Sequence, residues 1–208
     1  MKIFIASDLH GSAEYCRQMI EAFTNENAEK LLLLGDILYH GPRNDLPEKY
    51  SPKNVLKMLE SVKDKIICVK GNCDAEIDGE ILPFPVLSDL GAIFVDGLSI
   101  YFAHGHKAEP KLSNGDIYIT GHTHVPLNEV HEGHYHLNPG SLSIPKEGSA
   151  HGYIVYENQK FTFKDLSGKV LDELEIKEKI APVEEKRKVQ PHVKHPHIVR
   201  RKIVVKKK

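Results

Sequence analysis

Seven side chains of this sequence could together hold metal ions and hydrolyse an anion. Asp8-Leu9-His10 follows the apolar run KIFIAS, Gly35-Asp36 follows LLLL, Gly71-Asn72 follows IICVK, His104-Gly105-His106 follows IYFA, and Gly121-His122-Thr123-His124 follows DIYIT. Each group sits just past an expected strand, and parallel α/β sheets gather ligand sites beyond the carboxyl ends of their strands. In extended chain, residues two apart point the same way. Asp8 with His10, and His122 with His124, are therefore each expected to present two donors to one locus. Alone, a D-x-H, G-D or G-N is ordinary turn chemistry. Five such pieces in order, each closing a strand, point to one metal centre.

The donor types constrain the metal. Asp8, His10, Asp36, Asn72, His104, His122 and His124 offer carboxylate, amide oxygen and imidazole but no thiolate. That mixture suits Mn, Fe, Zn, Co or Ni more than Ca or Mg. Seven donors exceed what one ion with an open position takes. If Asp36 bridges two ions, each obtains four protein ligands, with room for a hydroxide and a substrate oxygen at the ~3.5–4 Å separation of two-metal sites. Two divalent ions outweigh the charges of Asp8 and Asp36, so the centre stays cationic and attracts an anion, phosphate being the obvious one. Three further residues are read as substrate contacts. Arg43, in HGPRN, can pair bidentately with phosphate, the alternative being a solvated loop arginine. His106 lies two residues past His104. Cys73 lies beside Asn72, the alternative being a structural or redox-sensitive thiol. His131, His134 and His136 belong to a hairpin and are expected at its surface or behind the ligands.

The elements that must position these residues change character along the chain. KIFIAS, LLLL and IICV are short continuous apolar runs, the pattern of buried parallel strands. Ser12 can cap a helix burying Cys16, Met19, Ile20 and Phe23. Ser51-Pro52 can open another that buries Val55, Leu56, Leu59 and Val62. This half reads β-α-β-α-β. From residue 92 onward the signals are hairpins: Asp96-Gly97 between AIFV and LSIYFAH, Glu132-Gly133 between LNEVH and HYHLN, Asn158-Gln159 between GYIVY and KFTFKDL. The second half is expected to be antiparallel.

The 208 residues carry a net charge of −1 that hides a division. Residues 177–208 hold 12 Lys and Arg against 3 Asp and Glu, a net of +9, which leaves −10 for residues 1–176. The tail is Pro-punctuated and poor in aromatics, so two units are expected: a folded body, 1–176, and a flexible basic tail, 177–208. The tail's partner is open between nucleic acid, another anionic surface and the acidic body, and IVRRKIVV is apolar enough to add an edge strand somewhere. No apolar run approaches the ~20 residues of a membrane span. The 3 Cys form no C-x-x-C, and a soluble protein of the reducing cytoplasm is expected.

The ordered motifs D-x-H, G-D, G-N-x-D, G-H-x-H and N-P-G-S resemble the calcineurin-like metallophosphoesterase superfamily. LGDILYHGPRNDLPEKY, VKGNCDAEID, HGH and HLNPGSLSIPK are similar to its small bacterial phosphodiesterases of the YfcE type, over residues 1 to about 175. The resemblance implies an α/β/β/α sandwich of two mixed sheets flanked by helices. It implies two divalent transition-metal ions, Mn first, with Ni, Zn, Fe or Co as alternatives. One is held by Asp8, His10, Asp36 and His124, the other by Asp36, Asn72, His104 and His122. It further implies that a hydroxide bridging the ions attacks the phosphorus of a small phosphodiester, with Asp36, Asn72 and His104 at the catalytic centre, and that the protein is a homo-oligomer. Many members carry His where this chain has Cys73, and a thiol is a weaker proton donor to a leaving group. Two other readings stand beside the enzyme: a catalytically weak protein-interaction scaffold on the same fold, and a nuclease recruited by the basic tail.

Overall fold

The computed structural model describes residues 1–86 and 89–176. A first sheet carries the N-terminal half. Strands β1 (Ile3–Ala6), β2 (Lys30–Leu33) and β3 (Ile66–Cys68) pair in parallel, in the order β1-β2-β3. Between them run helices α1 (Ala13–Asn25) and α2 (Pro52–Glu60). The continuous apolar runs follow from burial on both faces. Phe4, Ala6, Leu31 and Leu33 pack with Met19, Phe23, Val55 and Leu59 of the helices. Ile3, Ile5 and Leu32 face the opposite way, into a second core with Ile100, Phe102, Ile117 and Leu137.

Local signals behave as expected at the start of α1, where the Ser12 side chain accepts from the Tyr15 N–H. Ser51 occupies the cap position of α2 ahead of Pro52, but its hydroxyl makes no cap bond. A short helix, α3 (Glu76–Ile81), follows the third ligand loop. Gly79 at its centre masks it in the sequence.

The second sheet holds β4 (Leu90–Val95), β5 (Leu98–Ala103), β6 (Ile117–Ile119), β7 (Pro126–His131) and β8 (His134–Pro139), in the order β4-β5-β6-β8-β7. All three expected hairpin turns are present, yet the half is not antiparallel throughout: β6 runs parallel to both β5 and β8. A turn dipeptide specifies only the two strands it joins, and the 104–116 segment between β5 and β6 is long enough to cross over. The third hairpin, β9 (Gly152–Glu157) and β10 (Lys160–Asp165), joins the first sheet, where β9 pairs antiparallel with β1. Strand β11 (Val170–Glu175) closes that edge; its largely exposed VLDELE has no alternation to read.

The result is the expected pair of mixed sheets, face to face over the second core. Helical cover is uneven. Helices α1 and α2 pack on the first sheet, while on the outer side of the second sheet Tyr118 shares a small cavity with Ala108 and Pro110 of the 104–116 segment. The described residues end at Ile176, which is buried; the expected tail and its edge strand lie outside them.

Phe4 is fully buried, stacked on Tyr153 at 4.3 Å and edge-on to Phe23 at 6.0 Å. Phe4→Ala is expected to cost about 3–5 kcal/mol of unfolding free energy by equilibrium denaturation, because the rings on either side cannot both close the cavity.

Candidate metal centre

The ligand loops are not extended. Asp8, His10, Asp36, His122 and His124 all have φ between 49° and 67°. The left-handed region costs most residues about 1–2 kcal/mol, less for Asp and His, whose side chains bond locally. It replaces the two-residue alternation expected from sequence: the side chains converge because each loop coils at the strand end. Neighbouring loops hold one another there. His10 N–H donates to the Asp36 carbonyl at 2.8 Å, and Gly11 N–H donates to that of Ile37 at 2.8 Å. The Asp8 carbonyl accepts from the hydroxyls of Ser141 and Ser143, at 2.9 and 3.0 Å. Asn138 donates to the Gly121 carbonyl at 2.7 Å. The N-P-G-S turn therefore braces two ligand loops from behind.

Three histidines share one device. His10 Nδ1 bonds the Tyr39 carbonyl at 2.8 Å, His104 Nδ1 that of Leu34 at 2.8 Å, and His124 Nδ1 that of Ile144 at 2.6 Å. A carbonyl only accepts, so each Nδ1 carries a proton and each Nε2 points inward, where it offers a lone pair once the ring is neutral. Those nitrogens meet carboxylates. His124 Nε2 and His10 Nε2 lie 3.2 and 3.5 Å from Asp8 Oδ1. Asp36 Oδ2 lies 3.3 Å from His104 Nε2 and 3.7 Å from His10 Nε2, so it faces both halves of the cluster.

Asn72 Oδ1 is 3.0 Å from His104 Nε2. The His122 ring stands 5.1 Å from that of His104, and its backbone N–H donates to Asp8 Oδ2 at 3.0 Å. Donor atoms of Asp8, His10 and His124, and of Asp8, Asp36 and His104, all lie within 4.8 Å of one another. Cys73 Sγ forms a like group with His10 and Asp36, a thiol the sequence reading left out of the donor set.

At Asp8, Asp36, His10 and His104 burial opposes charge and the neighbouring opposite charges win, while at His122 burial and the His104 charge prevail and hold the ring below the ordinary histidine value. His10 and His124 hold Asp8 well below the usual carboxylate range, and His104 lowers Asp36. Asp36 and Asp8 lift His104 to about 9 and raise His10. One atom stays unsatisfied: Asp8 Oδ1 is buried without a hydrogen-bond partner. His10 Nε2 and His124 Nε2 also face each other at 3.2 Å. Imidazole nitrogens and carboxylate oxygens that converge within ligand distance of one another are a donor set that fits divalent metal, which would take the place of the ring protons.

Two glycines are fixed by this crowding. A Cβ on Gly71 would overlap the Asp36 carboxylate, and one on Gly121 would lie 2.8 Å from Asp8 Oδ2.

The cluster opens into a cleft of about 940 Å³, lined also by Tyr39, Arg43, Cys73, Thr123 and Lys146. Arg43 and Cys73 thus reach the cleft. His106 does not line it; its ring lies 5.5 Å from that of His104 and borders a separate cavity of about 130 Å³. His134, expected at the hairpin surface or behind the ligands, is buried with Nε2 3.3 Å from Glu109. His136 is partly buried and bonds Thr120 at 2.9 Å.

A sequence model of the calcineurin-like phosphoesterase superfamily domain matches residues 1–160. The chain belongs to that superfamily. Phosphodiesterase YfcE of Escherichia coli K12 is 40% identical over 162 residues, covering 76% of this chain and 88% of that protein. Phosphodiesterase MJ0936 of Methanocaldococcus jannaschii is 29% identical over 151 residues, covering 67% and 83%. The solved structure of the E. coli phosphoesterase YfcE superposes with a TM-score of 0.81 at 37% identity, over 85% of this chain and all of that one.

Sequence reasoning missed the residues that hold the superfamily's ligand loops in place here. Asp74, known only as the end of G-N-x-D, accepts from the backbone N–H of Asp36, Ile37 and Gly71 at 2.8, 2.8 and 2.7 Å. The carbonyls of Leu34, Tyr39 and Ile144 carry no side-chain signal at all. Lys146 was passed over as part of SIPK.

In protein stripped of divalent ions, the His104–Asp36 contact stabilises the fold fully below the ordinary histidine value of ~6.5 and loses that contribution as pH rises through about 9. The melting temperature of chelator-treated protein is therefore expected to fall across that interval. A divalent ion should reverse the trend, since it binds the deprotonated ring, and calorimetric titration at several pH values in buffers of different ionisation enthalpy should record proton release.

Proposed function

We infer that the protein is a metal-dependent phosphodiesterase acting on small phosphodiesters. The carrying observation is the inward convergence of three Nε2 atoms and the carboxylates of Asp8 and Asp36 at the floor of an open cleft. The phosphodiesterase relatives support the reaction class. Asp8, His10, Asp36 and His124 would hold one ion, and Asp36, Asn72, His104 and His122 the other. When bound, the ions supply Lewis-acid neutralisation of the phosphate and a water of lowered pKa.

The chain's own part is preorganisation. The Nδ1 bonds to Tyr39, Leu34 and Ile144 set the rings before anything binds, so little reorganises during reaction. Asp36 would be shared by both ions, a reading supported by its Oδ2 facing both His10 and His104. Arg43 and Cys73 would meet the substrate in the cleft. Burial and the Asp36 charge push the Cys73 thiol up to about 12, so it stays protonated and contributes no charge at neutral pH. Mn is the ion proposed first, with Ni, Zn, Fe or Co able to substitute, since oxygen and imidazole donors accept all of them. The cytoplasm fits the free thiols Cys16, Cys68 and Cys73. Among the described residues no helix is long and apolar enough to cross a membrane. A homo-oligomer is part of the reading by family resemblance alone.

The test is hydrolysis of mono- and diesters by metal-stripped protein resupplied with Mn, Ni, Zn or Mg. Activity on diesters restored by Mn is expected, and no activity with any ion would sink the enzyme reading. Asp36→Ala should abolish activity and bind less metal than Asn72→Ala, because it removes a ligand from both ions; two full equivalents by metal analysis would refute the bridge.

Cys73→His should raise kcat/KM toward alkyl esters relative to aryl diesters, by an acid contribution on the order of 10²-fold. An unchanged ratio would mean residue 73 does not face the leaving group.

A further inference from the structure

Ligands account for the floor of the cleft but not for its rim. The carboxylates around it are Asp36 and Asp74. Asp36 belongs to the donor cluster, and Asp74 is committed to three backbone N–H groups. The cations are Arg43 and Lys146. Neither makes a side-chain hydrogen bond or ion pair within the described residues, whereas Arg17, Lys49, Lys107 and Lys164 on other surfaces each meet a carboxylate.

Both rim cations are anchored by backbone and free at the head group. Arg43 rides on a turn closed by Asn44, whose side chain donates to the His40 carbonyl at 2.8 Å and whose N–H donates to that of Gly41 at 3.4 Å. That turn abuts Cys73, because a Cβ on Gly41 would lie 2.8 Å from its Sγ. Lys146 N–H donates to the His124 carbonyl at 3.1 Å, and the Lys146 carbonyl accepts from Ser149 Oγ at 2.7 Å. One cation therefore stands on the Cys73 side of the metal centre and the other on the His124 side.

Charge decides what such a cleft suits. A simple diester brings one negative charge, which two divalent ions held by Asp8 and Asp36 already overbalance. Two further unpaired cations, in a cleft of about 940 Å³, exceed what that substrate needs in both charge and room. We propose that Arg43 and Lys146 select phosphodiesters that carry a second anionic group beyond the scissile phosphate. This rests on the phosphodiesterase reading and narrows its substrate class.

The test compares two esters identical at the reacting centre: the p-nitrophenyl ester of thymidine 5′-phosphate, with and without a 3′-phosphate. In each, water adds across the aryl P–O bond, and p-nitrophenol leaves with the proton. With Mn supplied, the 3′-phosphorylated ester is expected to have kcat/KM on the order of tenfold higher, chiefly through KM, as charge-assisted contacts to a phosphate give. Lys146→Ala and Arg43→Ala should each shrink that ratio, Lys146→Glu should push it below one, and Lys146→Arg and Arg43→Lys should keep it. Metal content of each variant checks that the centre is intact. Equal kcat/KM for the two esters in wild type, or a ratio indifferent to both alanine variants, overturns the proposal while leaving the phosphodiesterase reading standing. No hydrolysis of either ester with any ion overturns that reading itself.

Discussion

A backbone carbonyl behind each of three histidines is the contact on which the rest of the site depends. Leu34 and Tyr39 lie on the connection after β2 and Ile144 on the one after β8, yet each presents its oxygen to an Nδ1–H and leaves Nε2 facing inward. The sheet makes this possible. Leu34 directly follows β2, its own N–H bonded to Ala6 of β1 at 2.9 Å, so the register of β1 against β2 sets where His104 points. A one-residue slip would exchange the helix-facing and sheet-facing side chains of β1 and carry the carbonyl off the ring. Core packing and ring orientation are thus one constraint.

That coupling explains how strained loops persist. Five candidate ligands sit at positive φ, and Asp8 Oδ1 is buried without a partner; in isolation these are costs. They are tolerated because β1 and β2 are buried on both faces and cannot shift. The loops are also cross-braced by Asp74, Ser141, Ser143 and Asn138. The cost converts into affinity for a cation, since an ion relieves the orphaned oxygen and the opposed nitrogens together.

The sequence was most informative where a single residue type decides the outcome. Continuous apolar runs gave the three parallel strands, Ser12 the start of α1, and the turn dipeptides all three hairpins. Asp8, His10, Asp36, His104 and His124 were brought to one locus on the strength of strand-end position. The reason given for their convergence was wrong in detail: alternation describes extended chain, and left-handed coiling does not announce itself when the residue is Asp or His rather than Gly. Parallel pairing of β6 was invisible because strand partners across a long segment are chosen by packing. For His134 the sequence left surface and interior open, and burial follows from its partner Glu109, which arrives from the 104–116 segment. The supporting carbonyls could not be read from any side chain.

Position 73 brings the electrostatics to a point. A histidine there would add a titrating cation beside Asp36, inside a cluster where His10 and His104 are already held toward the charged form. Cys73 adds none, since burial and the surrounding carboxylates keep its thiol neutral. Positive charge from side chains is moved outward, to Arg43 and Lys146 at the rim, where solvent lowers its cost and it does not compete with the ions for the same carboxylates. On the proposed substrate reading, metal loading and substrate charge are served by separate residues, and each can change without disturbing the other.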